Sequence, residues 1–214
     1  MRCMDELLRL YAVTDRAWTG KQTLAQQVEC ALRGGVTLVQ LREKKMERDA
    51  FLAEAKEIHA LCRRYGVPLI INDDVELALA CGADGVHVGQ SDMRAGDVRA
   101  RVGKGMIVGV TAKTVGQALA AQAAGADYLG SGAVFGTSTK ADAKPMSLET
   151  LRSICKAVDI PVVAIGGVNR QNLPQLAGTG VSGAAIVSGI FAAQDIECEC
   201  RALRALTERI AQKG

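Results

Sequence analysis

The chain has 214 residues, 49% of them apolar, enough for one sizeable hydrophobic core. A formal net charge of +3 is too small to point to nucleic acid, and an aromatic content of 3% leaves few side chains for stacking bases. No apolar run approaches the ~20 residues of a membrane span, and Met1-Arg-Cys-Met-Asp-Glu6 lacks a signal-peptide layout, so the expectation is a cytoplasmic protein away from membranes.

Leu8 to Thr14 reads as a strand and Thr19 to Arg33 as a helix that stops at Gly34-Gly35. Val36 to Leu41 is the second strand, Arg48 to Tyr65 a helix, and Leu69 to Asn72 the third strand. Asp74 to Cys81 is a short helix and Gly85 to Gly89 a strand. Met93 to Arg101, Val115 to Ala124 and Ser147 to Val158 read as helices between strands at Met106 to Val110, Asp127 to Ser131 and Pro161 to Ile165. Asn169 to Ala177 reads as a helix, Gly183 to Val187 as the last strand, and Ile196 to Gln212 as the last helix. Strict alternation favours a parallel sheet, and eight strand–helix units with none left over favour an α/β fold closed as a (β/α)8 TIM barrel. No linker interrupts the pattern, so residues 1–214 read as a single domain. The longest loop, Gly132 to Pro145, is polar and aperiodic, as functional loops often are.

Seven cysteines form no Cys-x-x-Cys pair, and Cys198 and Cys200 have no nearby histidine. Reduced, mostly buried thiols fit this usage and a zinc site does not.

In such barrels the chemistry sits at the C-terminal ends of the strands. There the sequence offers Thr14 and Asp15, then Gln40, Arg42 and Lys44, then Asn72, Asp73 and Asp74. Further round stand His87, Gln90 and Asp92, then Thr111 and Lys113, and the run Thr137-Ser-Thr-Lys140. Gly166-Gly167 and Ser188-Gly189 follow the last two strands. Arg42 and Lys44 at one strand end suit charge-assisted contacts to a polyanion such as pyrophosphate, but they fit a solvated end paired to acids equally well. Asp73 and Asp92 follow adjacent strands and suit a hard cation such as Mg²⁺, although Asp73 or Asp74 also fits a helix N-cap. His87 fits a hydrogen-bonded core position as well as a site. The Gly166-Gly167 and Ser188 loops suit a second phosphate, because barrels often bind one there through backbone N–H groups.

Nine motifs carry a resemblance in this order: Leu10-Tyr-Ala-Val-Thr-Asp15, Gln40-Leu-Arg-Glu-Lys44, Ile71-Asn-Asp-Asp74, Gly85-Val-His-Val-Gly-Gln-Ser-Asp92, Gly109-Val-Thr111, Gly125-Ala-Asp-Tyr128, Thr137-Ser-Thr-Lys140, Ile165-Gly-Gly167 and Val187-Ser188. Along nearly its whole length the chain resembles the thiamine-phosphate synthase family. That resemblance implies a transferase joining hydroxymethylpyrimidine pyrophosphate to a thiazole phosphate, with release of pyrophosphate. It implies that Gln40, Leu41, Arg42, Glu43, Lys44, Asn72, Thr111 and Lys140 bind the pyrimidine pyrophosphate, with Arg42, Lys44, Thr111 and Lys140 carrying the catalysis. It further implies that Asp73 and Asp92 hold Mg²⁺, and that Thr137, Ser138, Thr139, Gly167, Val187 and Ser188 hold the thiazole phosphate. The implied mechanism is dissociative: pyrophosphate leaves, a pyrimidine-methyl cation forms, and the thiazole nitrogen attacks it. The partners are these two small molecules, and oligomeric state is left open, a homo-oligomer included.

The chain departs from the family pattern in a few places. Thr111 stands where Ser is frequent, Lys113 where His is common nearby, Ala133 and Gly136 where Pro is frequent, and Met146 where Gly is usual. Two other readings are a thiazole tautomerase on the same barrel, which uses a His near the fifth strand, and a non-catalytic thiamine-phosphate-binding barrel. Neither accounts for the full set of bases and acids.

Overall fold

A computed structural model describes residues 3–20, 22–89, 95–136 and 145–211. Eight parallel strands run in sequence order round a closed barrel: β1 Leu10–Val13, β2 Leu38–Leu41, β3 Leu69–Asn72, β4 Gly85–Val88, β5 Ile107–Thr111, β6 Tyr128–Gly132, β7 Val162–Ile165 and β8 Gly183–Ile186. Closure comes from β1, which pairs with both β2 and β8, for example Tyr11 with Leu38 and with Ala185.

Side-chain alternation divides the core in two. Tyr11, Leu38, Ile70, Tyr128, Val163 and Ala185 point into the barrel. Their chain neighbours Leu10, Ala12, Val39, Leu69, Ile71, Leu129, Val162, Ala164 and Ala184 point outward into a continuous shell under the helices. The strands are therefore apolar on both faces, as a helix-covered parallel sheet requires.

The covering helices are α2 Leu24–Arg33, α3 Arg48–Arg64, α4 Val75–Cys81, α5 Ala95–Val102, α6 Val115–Ala123, α7 Leu148–Ala157 and α9 Ile196–Ala211, with two short helices, α1 Met4–Leu7 and α8 Ser188–Phe191. Several begin at side-chain caps. Thr23 and Gln26 exchange hydrogen bonds with each other's backbone N–H at the start of α2, and Asp74, Thr114 and Ser147 accept from the first turns of α4, α6 and α7. The Thr23 cap explains why α2 starts at Leu24 and not at Thr19, since Arg16–Trp18 form a separate 3-10 turn.

The unit after β7 departs furthest from expectation. The helix expected over Asn169 to Ala177 is reduced to a 3-10 turn at Leu173–Leu176. Asn169 Oδ1 accepts from the backbone N–H groups of Gln171 and Asn172, and Asn172 Oδ1 accepts from Asn169 N–H. These local bonds compete with a helical ladder, and Pro174 cannot donate to one.

Candidate active site

All eight strands contribute to one cavity at the C-terminal mouth of the barrel. On one arc it is lined by Gln40 of β2 and Arg42 just after it, Asn72 of β3 and Thr111 of β5. On the other arc stand Gly166, Gly167, Val187 and Ser188, from the ends of β7 and β8. An adjoining depression shares Asn72 and is lined by Glu43, Lys44, Asp73 and Asp74. Seven of the residues expected at the site thus meet in one cavity, and three more gather beside it.

The β2 end is braced on both sides. The Arg42 backbone N–H donates to Thr14 Oγ1 at 3.0 Å, and its guanidinium lies 3.8 Å from Asp15 Oδ2. That long, part-buried contact leaves the guanidinium lining the cavity. Leu41 points outward, fully buried between barrel and helices, so only its backbone can meet a ligand. The Glu43 carboxylate accepts from Arg16 Nε at 2.7 Å and from the backbone N–H groups of Lys44 and Lys45 at 2.8 and 3.2 Å. Burial alone would raise its pKa. The Arg16 guanidinium and the two N–H groups more than offset that, so the carboxyl sits below its ordinary range. Glu43 thereby shapes the turn that presents Lys44.

The two acids after β3 have different partners. Asp74 caps α4, accepting from Leu77 N–H at 2.8 Å, and pairs with Arg48 at 3.0 Å. Asp73 takes the left-handed region at φ +64°. Its backbone N–H donates to His87 O at 2.8 Å, and its carboxylate accepts from Asn72 Nδ2 at 2.6 Å. Left-handed backbone is uncommon outside glycine, and such positions cluster at functional sites. Asp73 offers a hard carboxylate oxygen of the kind Mg²⁺ prefers. Among the described residues no group of three or more His, Cys, Asp or Glu side chains could hold a metal ion. The other acid of the expected pair, Asp92, lies outside the described residues, as do Thr137, Ser138, Thr139 and Lys140.

The loops after β6 and β7 are laced together. Val134 and Phe135 N–H donate to Ile165 and Gly166 carbonyls, each at 3.0 Å. Gly167 takes φ +66°, and a Cβ there would overlap the Gly136 carbonyl, so only glycine permits this approach. Asn172 Nδ2 donates to Gly167 O at 2.8 Å and fixes the turn from the other side. Ser188 opens α8 directly after β8.

Along the cavity wall runs a hydrogen-bonded chain that sequence reasoning missed: Gln40, Tyr11, His87 and Thr111 line the cavity, and Tyr128 joins them. Gln40 Nε2 donates to the Tyr11 hydroxyl at 2.6 Å, and the Tyr11 and Tyr128 hydroxyls are 2.8 Å apart. The Tyr128 hydroxyl lies 3.0 Å from His87 Nδ1, and His87 Nε2 lies 3.0 Å from Thr111 Oγ1. Burial pushes both phenols well above the ordinary tyrosine value, so they stay protonated. Gly109 makes room: a Cβ there would overlap Tyr128 and His87 Nδ1. Polar aromatics at inward positions, with glycine on the neighbouring strand, were the available signal. Lys113 also lines the cavity, with its backbone N–H bonded to Gln117 Oε1 at 2.8 Å.

Residues 10–190 match the family model described as thiamine monophosphate synthase. The chain is 50% identical over 194 residues to the thiamine-phosphate synthase of Ruminiclostridium cellulolyticum, covering 91% of this chain and 92% of that one. It is 45% identical over 205 residues to that of Clostridium acetobutylicum, covering 96% and 97%. A solved thiamine phosphate pyrophosphorylase from Pyrococcus furiosus superposes with a TM-score of 0.89 at 36% identity, covering 97% of this chain and 98% of the other.

Proposed function

The chain belongs to the thiamine monophosphate synthase family, and from that premise we propose that it joins hydroxymethylpyrimidine pyrophosphate to a thiazole phosphate, giving thiamine phosphate and pyrophosphate. One observation carries the reading beyond the family. A single cavity is lined by Gln40, Arg42, Asn72 and Thr111 on one arc and by Gly167, Val187 and Ser188 on the other. A condensing enzyme needs both substrates in one pocket, and holding them there supplies the proximity part of the rate enhancement.

In this reading the bond between the pyrimidine methylene carbon and oxygen breaks, and its electron pair stays with the departing pyrophosphate. The thiazole nitrogen then gives its lone pair to the carbocation. Negative charge grows on the leaving group, so fixed cations and donors aimed at it lower the barrier most. Arg42, Lys44, Lys140 and the Thr111 hydroxyl fill that role. Gln40 and Asn72 hold the pyrimidine pyrophosphate, with the backbone at Leu41 and the turn built by Glu43 beside them. Thr137, Ser138, Thr139, Gly167, Val187 and Ser188 hold the thiazole phosphate. Asp73 and Asp92 would hold Mg²⁺, which when bound neutralises charge on pyrophosphate oxygens.

The test is substrate dependence. Pyrophosphate should appear at a sustained rate only when both substrates are supplied. Isomerisation of a thiazole precursor, with no pyrophosphate formed under any condition, would move the chain to tautomerase chemistry.

A further inference from the structure

Arg42, Glu43 and Lys44 put a carboxylate between the two cations assigned to the pyrophosphate. That acid has a structural task, because its Oε1 accepts from the backbone N–H groups of Lys44 and Lys45 at 2.8 and 3.2 Å. It also lines the same depression as Lys44, so its charge stands where an anion would bind. Left to itself, a carboxylate there attracts Lys44 or Arg42 and competes with phosphate oxygens for them.

The dipeptide Asp15-Arg16 after β1 meets this conflict. Arg16 Nε donates to Glu43 Oε2 at 2.7 Å, the oxygen that the turn leaves unused. Arg16 Nη2 donates to both Glu54 oxygens on α3, each at 2.7 Å, so the guanidinium is anchored to a helix. The neighbouring Asp15 accepts from Ala17 N–H at 3.0 Å through Oδ1, and its Oδ2 approaches Arg42 only to 3.8 Å. The short contact thus goes to the acid and the long one to the cation. Among the described residues Lys44 makes no ion pair. The Arg16 side chain is 43% exposed, and exposed ion pairs contribute little stability, so holding the fold together does not account for the arrangement.

We propose that Arg16 is a positioning residue for the reaction: it holds the Glu43 carboxylate away from Arg42 and Lys44, and so keeps both cations available to the pyrophosphate. This rests on the site assignment above. Glu43 then supplies the turn with its acceptor while Arg16 absorbs its charge. Without Arg16 the same carboxylate becomes an internal competitor of the substrate.

A double-mutant cycle on the full chain tests this. Arg16→Gln should raise KM for the pyrimidine pyrophosphate about tenfold, as loss of one charge-assisted contact does, with thiazole-phosphate KM and the urea midpoint unchanged. Adding Glu43→Gln should bring that KM back down to the several-fold rise of Glu43→Gln alone, because the competing charge has gone. Adding Glu54→Gln instead should recover nothing, since Glu43 lines the depression and Glu54 does not. Calorimetry with inorganic pyrophosphate and Mg²⁺ should give dissociation constants in the same order, independently of turnover. A parental KM in Arg16→Gln overturns the proposal. So does a double variant with Glu43→Gln that is as impaired as Arg16→Gln or more, because Arg16 then only braces the turn. A parent protein that binds no pyrophosphate removes the site assignment first, and the proposal with it.

Discussion

The carboxylate of Asp73 lies 2.6 Å from the side-chain amide of Asn72, at a turn where the Asp74 N–H reaches back to Asn72 O at 2.8 Å. The middle residue of this three-residue turn carries the left-handed backbone, φ +64°. The next acid, Asp74, serves the helix, so the two neighbouring acids divide: Asp74 caps α4, and the Asp73 carboxylate meets the Asn72 amide.

Asp73→Asn should separate charge from backbone. Asn tolerates left-handed geometry, so stability should stay within about 0.5 kcal/mol. Losing a hard anionic oxygen should lower turnover at least roughly tenfold and raise the Mg²⁺ needed for half-maximal rate. Asp74→Ala should show the reverse balance, costing about 1 kcal/mol of stability for the lost cap with the smaller effect on turnover. Mg²⁺ titrations and denaturation curves of both variants check this. Parental Mg²⁺ dependence in Asp73→Asn, or full activity of the parent in excess chelator, contradicts the metal assignment.

Glu43 braces the turn that presents Lys44, so Glu43→Gln should act on binding. It removes the charge that Arg16 Nε contacts at 2.7 Å. KM for the pyrimidine pyrophosphate should rise several-fold, with thiazole-phosphate KM unchanged. A carboxyl held below its ordinary value stabilises the fold above the ordinary carboxylate range and stops doing so as pH falls through its folded value. The parent should therefore lose stability on acidification below an ordinary glutamate pKa of 4.5, and Glu43→Gln should lose less over that window. Identical acid profiles would remove Glu43 as a contributor.

Alkaline pH tests the buried thiols and phenols. Burial pushes Cys62 and Cys200 up to about 12 and Cys155 up to about 11, and raises Tyr11 and Tyr128 as well. These groups ionise in the unfolded chain first. Their contribution is whole below the ordinary thiol value of 9.0 and is lost as pH climbs through the folded values. Urea midpoints should fall between neutral pH and a pH above 9.0. In the native protein at neutral pH, an alkylating agent should modify the exposed Cys3 and Cys198 and spare Cys62 and Cys200. Rapid native labelling of Cys62 would show that the shell under the helices opens.

Two glycine substitutions should have opposite signs. Gly109→Ala drives a methyl group into Tyr128 and His87 and should cost about 1–3 kcal/mol by overpacking. Gly116 lies in α6, where an added Cβ would meet only Thr114 Oγ1 at 4.0 Å. Gly116→Ala should stabilise by roughly 0.5–1 kcal/mol. Thermal denaturation of both variants reads the signs, and equal losses would show that the space around Gly109 is not the constraint.

Much of this was legible because parallel strands covered on both faces write their period into short apolar runs. Leu69–Asn72 was read to the residue, and Gln40, Arg42, Asn72, Thr111, Gly167 and Ser188 were placed at strand ends that do converge on the cavity. The turn at Leu173–Leu176 was misread because Asn169 and Asn172 satisfy backbone groups locally while the apolar spacing still looks helical. Asp74 and Asp73 could not be told apart, since the choice depends on which of them meets Leu77 N–H. The Tyr11–Tyr128 contact was invisible for another reason: it joins positions 117 residues apart, and register across the barrel decides it.

Synthase chemistry is read most directly from the mass of the product formed by purified protein with both substrates and Mg²⁺. Thiamine phosphate should form together with an equal amount of pyrophosphate, and neither should form when either substrate is left out. A folded protein that binds both substrates and forms no coupled product, or that rearranges the thiazole without releasing pyrophosphate, would contradict it.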